Sequence, residues 1–268
     1  MGNLIKGMAA IAGIAGVVAL QWPRLQAQTA VRDIDPAAEA AAQVLQAEQL
    51  NLRKVSPSFG FDNLIADWTF LEFLQYFGDT PAREVTDYRL SGDFLEVIVA
   101  QDPYFTETYV FLTTATSFYA AQPETTVKLL TQSLEAMTPA LPPDSYLLWR
   151  YKALDELLLL GDGQAAQRSF SQAADWAEQS PLPNAPQAAE LSRNTANFLQ
   201  QDPDSSQAQV SAWLQVWSSA VNDDIQQLAA DRIRGLGFEV VVENDAVQLI
   251  PLAPDDAAAG NGGDSNSE

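Results

Sequence analysis

The chain contains no cysteine and no histidine. Without cysteine there can be no disulfide, no thiolate zinc site and no cysteine nucleophile. Without histidine the side chain that titrates nearest neutrality is missing, and with it the commonest transition-metal ligand. A histidine-based triad, a zinc hydrolase and an imidazole-ligated haem are therefore excluded, and catalysis would fall to carboxylates, a serine–lysine pair or a hard metal ion. Positive charge is scarce as well: 14 lysines and arginines stand against 35 acids, a net charge of −21. Nucleic acid needs a basic face that releases counterions, so it is not an expected partner. A basic protein patch suits this charge better. Apolar residues are not scarce. They make up 47 % of 268 residues, enough for a sizeable core and too many for a disordered protein.

One long uncharged run stands at the amino terminus. Lys6 precedes Gly7 to Leu20, and Gln21, Trp22, Pro23 and Arg24 follow. The run fits the apolar region of a secretory signal. Extended from Leu4 to Trp22 it approaches the ~20 residues of a spanning helix, with Trp22 at the interface. Residues 1–30 are thus expected to be a signal peptide or an N-terminal membrane anchor. The anchor is favoured because Leu25 is large for a cleavage site ending at Ala27. Either reading places the body on the exported side of a membrane.

The remainder reads as helices separated by breakers. Residues 36–53 are alanine-rich behind Asp35 and form an expected helix, a candidate stalk. Residues 62–77 form the most aromatic helix, ended by Gly78. At ~3.6 residues per turn it sets Leu64, Phe70, Leu71, Phe73, Leu74 and Phe77 on one broad face, with Asp67 inside it. A buried carboxylate needs a partner, and Arg89 or Arg150 could supply the charge. Residues 78–90 read as a loop. Further helices are expected at 91–101, 104–121, 124–137, 144–160, 164–179, 187–201, 206–220 and 223–234, joined by short breaks as antiparallel hairpins. From Phe238 the period becomes two, and 238–243 with 246–250 read as a β-hairpin turning at Asn244-Asp245. The final residues, 253–268, read as a disordered acidic tail.

Leu160-Gly161-Asp162, followed by Ala166, Phe170 and Ala173, resembles the turn and second helix of a tetratricopeptide repeat. The preceding helix, with Trp149, Tyr151, Ala153 and Leu157, is similar more loosely. Asp102-Pro103, then Tyr109, Leu112, Ala115, Val127, Leu130, Ser133, Leu134 and Pro139, resembles another unit, with Gln122-Pro123 where glycine is usual. Together with the amino-terminal segment, this resembles a group of bacterial, including photosynthetic, exported repeat proteins. The expected fold is all-α, a tetratricopeptide-like solenoid over 91–236, preceded by amino-terminal helices (31–90) and closed by a β-hairpin (237–252).

The resemblance implies a concave groove lined by the first helix of each hairpin: Leu148, Tyr151 and Asp155 in one unit, Phe111 and Phe118 in the unit before. Such an acidic-aromatic groove suits a peptide carrying basic and apolar residues. The expected function is protein binding or assembly on the exported side of a membrane, without catalysis, metal or cofactor. Two alternatives stand beside it. One is a subunit or assembly factor of a membrane complex, photosynthetic by the resemblance. The other is an accessory carboxylate enzyme using Asp67 in a pocket lined by Trp68 and Phe70. No phosphate loop or calcium loop is found: Gly161-Asp162-Gly163 lacks a basic residue, and 202–206 lacks the glycine and the later glutamate.

Overall fold

A computed structural model describes residues 35–201, 204–243 and 246–252. The expected amino-terminal anchor, the Asp202-Pro203 break, the Asn244-Asp245 turn and the acidic tail lie outside the described residues. Helix α1 (Pro36–Val55) starts where Asp35 accepts a hydrogen bond from the Ala37 amide at 3.0 Å, with Pro36 in the first turn. It is no free stalk. Leu50 is buried, Arg53 reaches Glu72 of α2 (Asp62–Gly78) at 2.5 Å, and Lys54 bridges Asp93 and Glu96 of α4 (Ser91–Gln101) at 2.7 and 2.6 Å.

Helix α2 is rotated from the face its spacing suggests, keeping Phe73 buried and Phe70 and Phe77 packed on the core but not the three leucines. Ala66, Thr69, Phe73 and Tyr76 are buried, while Leu64, Leu71 and Leu74 are exposed. The helix is apolar on nearly every side, so the pattern alone does not choose. Small Ala66 and Thr69 let α2 lie close, and the aromatic side chains then stack inward: Phe73 on Phe94 at 6.0 Å, and Phe70 and Phe73 on Phe111 at 5.6 and 6.0 Å.

The segment expected as a loop after Gly78 contains a short helix, α3 (Thr80–Thr86), capped by Asp79 and carrying Pro81 in its first turn. It stops at Asp87, whose φ of +67° leaves the helical region. The Asp87 carbonyl accepts from Tyr76 Oη (3.1 Å) and Arg83 Nη1 (3.0 Å), and the Arg83 guanidinium lies 3.9 Å from the Tyr76 ring centre. The Asp87 carboxylate pairs with Arg89.

Helix α5 opens after a 3₁₀ turn, Thr106–Thr108, as Tyr109–Phe111 and continues as a π-helix, Leu112–Tyr119. It is therefore shorter and wider than the single helix expected over 104–121. Helices α6 (Pro123–Ala136), α7 (Tyr146–Leu158), α8 (Gly163–Ala177) and α9 (Ala185–Gln201) stack in order, α6 on α5 and α7, α8 on α7 and α9. Between α7 and α8, Gly161 takes φ +68° and Asp162 caps the Ala165 amide at 2.8 Å. Ala166, Phe170 and Ala173 point into the interface.

Then the stack reverses. Helix α10 (Ser206–Ser219) folds back onto α5 and α7, and α11 (Asp223–Gly235) packs on α10. Trp213 is fully buried and donates its indole N–H to the Leu159 carbonyl at 3.2 Å. Asn222 caps the Ile225 amide at 2.9 Å and donates to the Asp87 carboxylate at 3.2 Å, tying positions 135 residues apart. Strands β1 (Phe238–Glu243) and β2 (Ala246–Pro251) pair antiparallel, Phe238 opposite Pro251 and Val240 opposite Leu249. Phe238, Val240 and Leu249 close over the Trp213 cluster, which gives the hairpin the support an isolated one lacks.

Trp213→Ala is expected to cost about 3–5 kcal/mol, read as a lowered urea midpoint. Gly161→Ala should cost about 1–2 kcal/mol, because the left-handed turn is needed and an added Cβ would meet the Gln209 side chain at 2.7 Å. A Trp213→Ala loss below that of Gly161→Ala would mean that α10 is not held by its tryptophan.

Candidate functional site

The five residues expected to line a groove do not line one. Leu148 and Asp155 are each only 2 % exposed. Phe111 and Tyr151 are half-buried against the main core, and Phe118 against the Trp213 cluster. Two packings account for this. Phe70 and Phe73 of α2 lie on Phe111 within the core that also takes Leu148 and Tyr151, while α10 lies on the far part of α5 and α7, where its Trp213 cluster takes Phe118 and Leu159, one turn beyond Asp155. The groove is filled by the chain itself.

Asp155 is consequently a core acid. Thr113 Oγ1 on α5 donates to its Oδ2 at 3.3 Å, and Ser117, one π-helical step on, is bonded to Thr126 of α6 at 2.7 Å. Burial pushes the Asp155 carboxyl up from 3.8 to about 7, against hydrogen bonds from Ser117 and Thr113 that pull it down; neighbouring Glu156 adds a smaller upward push. Glu156 points to the other side of α7. It is also buried, but it is ion-paired with Lys152 at 2.5 Å and takes the Ser169 hydroxyl at 2.6 Å. The two acids do face apart, as their adjacency on a helix requires, and no substrate space lies between them.

Asp67, expected as a buried acid, is exposed. It sits on the outer side of α2, because the helix presents Ala66 and Thr69 to the core. Neither expected partner serves it: Arg89 is held by Asp87. The pocket required by the carboxylate-enzyme reading is not formed, since Phe70 turns inward and Trp68 outward. Among the described residues no group of three or more acids is placed to hold a metal ion, and no helix is long and apolar enough to cross a membrane.

What the fold leaves open is an apolar ridge on its first two helices. Phe61, Leu64, Trp68 and Leu71 follow one another at three- and four-residue steps along α2, all more than half exposed. Val44, Leu45, Leu52 and Val55 are likewise more than half exposed on α1. Of the large apolar side chains exposed among the described residues, 10 of 21 lie between Val44 and Leu74, a density that scattered surface residues do not reach. At its centre, Arg53, Leu64, Ile65 and Trp68 line a depression of ≈ 330 Å³. Trp68 is not loose. Its indole N–H donates to Glu72 Oε1 at 2.7 Å, and Glu72 is clamped by Arg53. The ring is held with 59 % of the residue's surface still in water. The sequence contains a signal for this ridge, the 61-64-68-71 spacing, but Leu64 and Leu71 also fit the expected core face, of which the helix uses only Phe70, Phe73 and Phe77.

No protein-family model, curated protein or solved structure matches this chain.

The unfolded carboxyl titrates at its ordinary 3.8 and the folded Asp155 near 7, so between those values the folded state binds a proton that the unfolded state has lost. This residue's contribution to stability therefore falls as pH rises from about 4 to 7 and is level above. Asp155→Asn removes the penalty. The variant is expected to exceed the parent by about 2–4 kcal/mol at pH 8 and to match it near pH 4 in urea titrations. An equal difference at both pH values would show that Asp155 is charged throughout.

Proposed function

We propose that this protein is a membrane-tethered binding module with no catalytic role, whose helical body, on the exported side, holds another protein through the α1–α2 ridge. The apolar segment ending near Trp22 is the tether in this reading. The observation that carries the proposal is the fixed, exposed Trp68 at the centre of a ridge built from two helices. Aromatic anchors held in place before contact are what dominate binding energy at interfaces, because little side-chain freedom remains to be lost.

The chemistry of the client follows from the rim. Glu48, Asp62 and Asp67 flank the ridge, Glu48 and Asp67 exposed and Asp62 half-buried. A helix with an apolar stripe and basic flanks fits it: the stripe lies along Leu64, Trp68 and Leu71, and the flanks meet the acids. This keeps the acidic-aromatic character expected from the sequence and moves it from the repeat groove to the amino-terminal helices. A subunit of a larger membrane assembly is the permanent form of the same contact.

The test is affinity capture with tagged full-length chain from detergent-solubilised membranes of the native source, comparing the parent with Trp68→Ala/Leu71→Ala and with Tyr151→Ala. A stoichiometric partner retained by the Tyr151 variant and reduced at least about tenfold by the ridge variant supports the proposal. Equal capture by all three places the client elsewhere. Thermal melts should coincide for the parent and the ridge variant, since neither replaced side chain is buried.

A further inference from the structure

The connection between α1 and α2 forms a tip at the end of the ridge, sharing Val55 and Phe61 with it and adding Phe59, which neither the core nor the proposed client contact uses. Residues 55–61, Val-Ser-Pro-Ser-Phe-Gly-Phe, carry no charge. Val55 is 80 % and Phe59 84 % exposed, and Phe61 more than half exposed. Phe59 also takes φ +53°, followed by Gly60 at +86°. A bulky aromatic residue is costly in the left-handed region, and here it gains no packing in return. The tip's polar groups are partly met from within: the Phe61 amide donates to the Ser58 carbonyl at 3.0 Å and Ser56 Oγ to the Leu52 carbonyl at 2.7 Å. An apolar protrusion of this kind can enter the interfacial layer of a bilayer, where water and headgroups remain for its other amides.

Resting on the tether reading above, we infer that the Val55–Phe61 tip inserts into the interfacial layer of the same bilayer that holds the amino-terminal segment, and that the surface it fits is electrically neutral lipid. Three observations select this occupant. First, the tip offers no free cation to an anionic headgroup, because Arg53 and Lys54 behind it are committed to Glu72, Asp93 and Glu96. The chain's −21 charge is repelled by an anionic leaflet. Second, the geometry reaches. Thirteen residues, 23–35, separate Trp22 from α1 and extend to at most ~45 Å, whereas the twenty residues of α1 measure ~30 Å. The far end of α1 can therefore return to the surface from which the chain emerges. Third, two phenylalanines and a valine form a weak anchor alone, and stable attachment takes a second signal. The tether supplies it by raising the local lipid concentration. The tip's role is then to orient the body, laying α1 toward the bilayer and setting the height of the Trp68 ridge above it.

The absence of native cysteine makes the test direct. Single cysteines replacing Phe59, Val55 or, as a control on α9, exposed Glu190 are labelled with a polarity-sensitive fluorophore. The full-length chain is reconstituted into phosphatidylcholine vesicles containing spin-labelled lipid. Several-fold stronger quenching at 55 and 59 than at 190 is expected. It should weaken when phosphatidylglycerol replaces part of the lipid, and at 55 it should be lost in Phe59→Asp/Phe61→Asp. Co-flotation with vesicles but no preferential quenching overturns the tip inference and leaves the tether intact; failure to co-float overturns the tether reading itself. A blue shift at 59 without lipid also overturns the inference. It indicates a second copy if it fades on dilution, or cover by residues 7–20 of the same chain if it does not.

Discussion

The return of α10 onto α5 and α7 is the constraint from which the rest of this molecule follows. A stack of helix hairpins has an inner face, and in an open stack that face is available to a ligand. Here Trp213 occupies it, bonded to the Leu159 carbonyl. One turn before Leu159, Asp155 is shut in against α5, where Thr113 donates to its carboxylate, so that acid is retained as a raised, core-facing group. The reversal also needs a second fastening at its far end. Asn222 provides it by joining the cap of α11 to Asp87, the residue that ends α3 and gathers Tyr76, Arg83 and Arg89. The start of α11 is thereby held to the connection between α3 and α4.

Class and element order were legible in the sequence because they depend on local punctuation. Asp35-Pro36, Gly161-Asp162, Asn222 and the change of period at Phe238 each act within a turn or two of themselves, and each is where the structure starts or stops an element. Choices between faces were less legible. In α2 the residues at 64, 71 and 74 are as apolar as those at 70, 73 and 77, and the decision fell to the two small residues that permit close approach. The short α3 hid behind Pro81, which reads as a breaker unless it is recognised as a first-turn proline. The groove failed for a long-range reason: its filling depends on contacts such as Trp213 to Leu159, 54 positions apart, which no local pattern records. The expectation that Asp155 faces a ligand and the finding that it faces Thr113 differ only in what covers it.

Charge gives the body its sign and its polarity. Of the eleven lysines and arginines among the described residues, Arg53, Lys54, Arg89, Lys128, Lys152, Arg193, Arg232 and Arg234 are in ion pairs. Arg83 lies on the Tyr76 ring. The scarce cations are therefore spent on joining elements, α1 to α2 and α4, α4 to α6, α8 to α9. The acidic excess is left to face solvent, where it repels anionic surfaces and draws basic ones over a Debye length of ~8 Å.

The Arg53–Glu72 pair shows how little such a contact needs to stabilise in order to matter. Both side chains are about a quarter to a third exposed, so the pair contributes at most about 1 kcal/mol to folding. Yet Glu72 also holds the Trp68 indole. An unheld tryptophan at an exposed helix position samples several rotamers and loses that freedom on contact, whereas this one has already lost it on folding. In the proposed function the ion pair's weight thus falls on recognition rather than on stability. That is also why the ridge is better understood as a prepared surface than as a defect of packing: a merely leftover apolar side chain has no reason to be oriented.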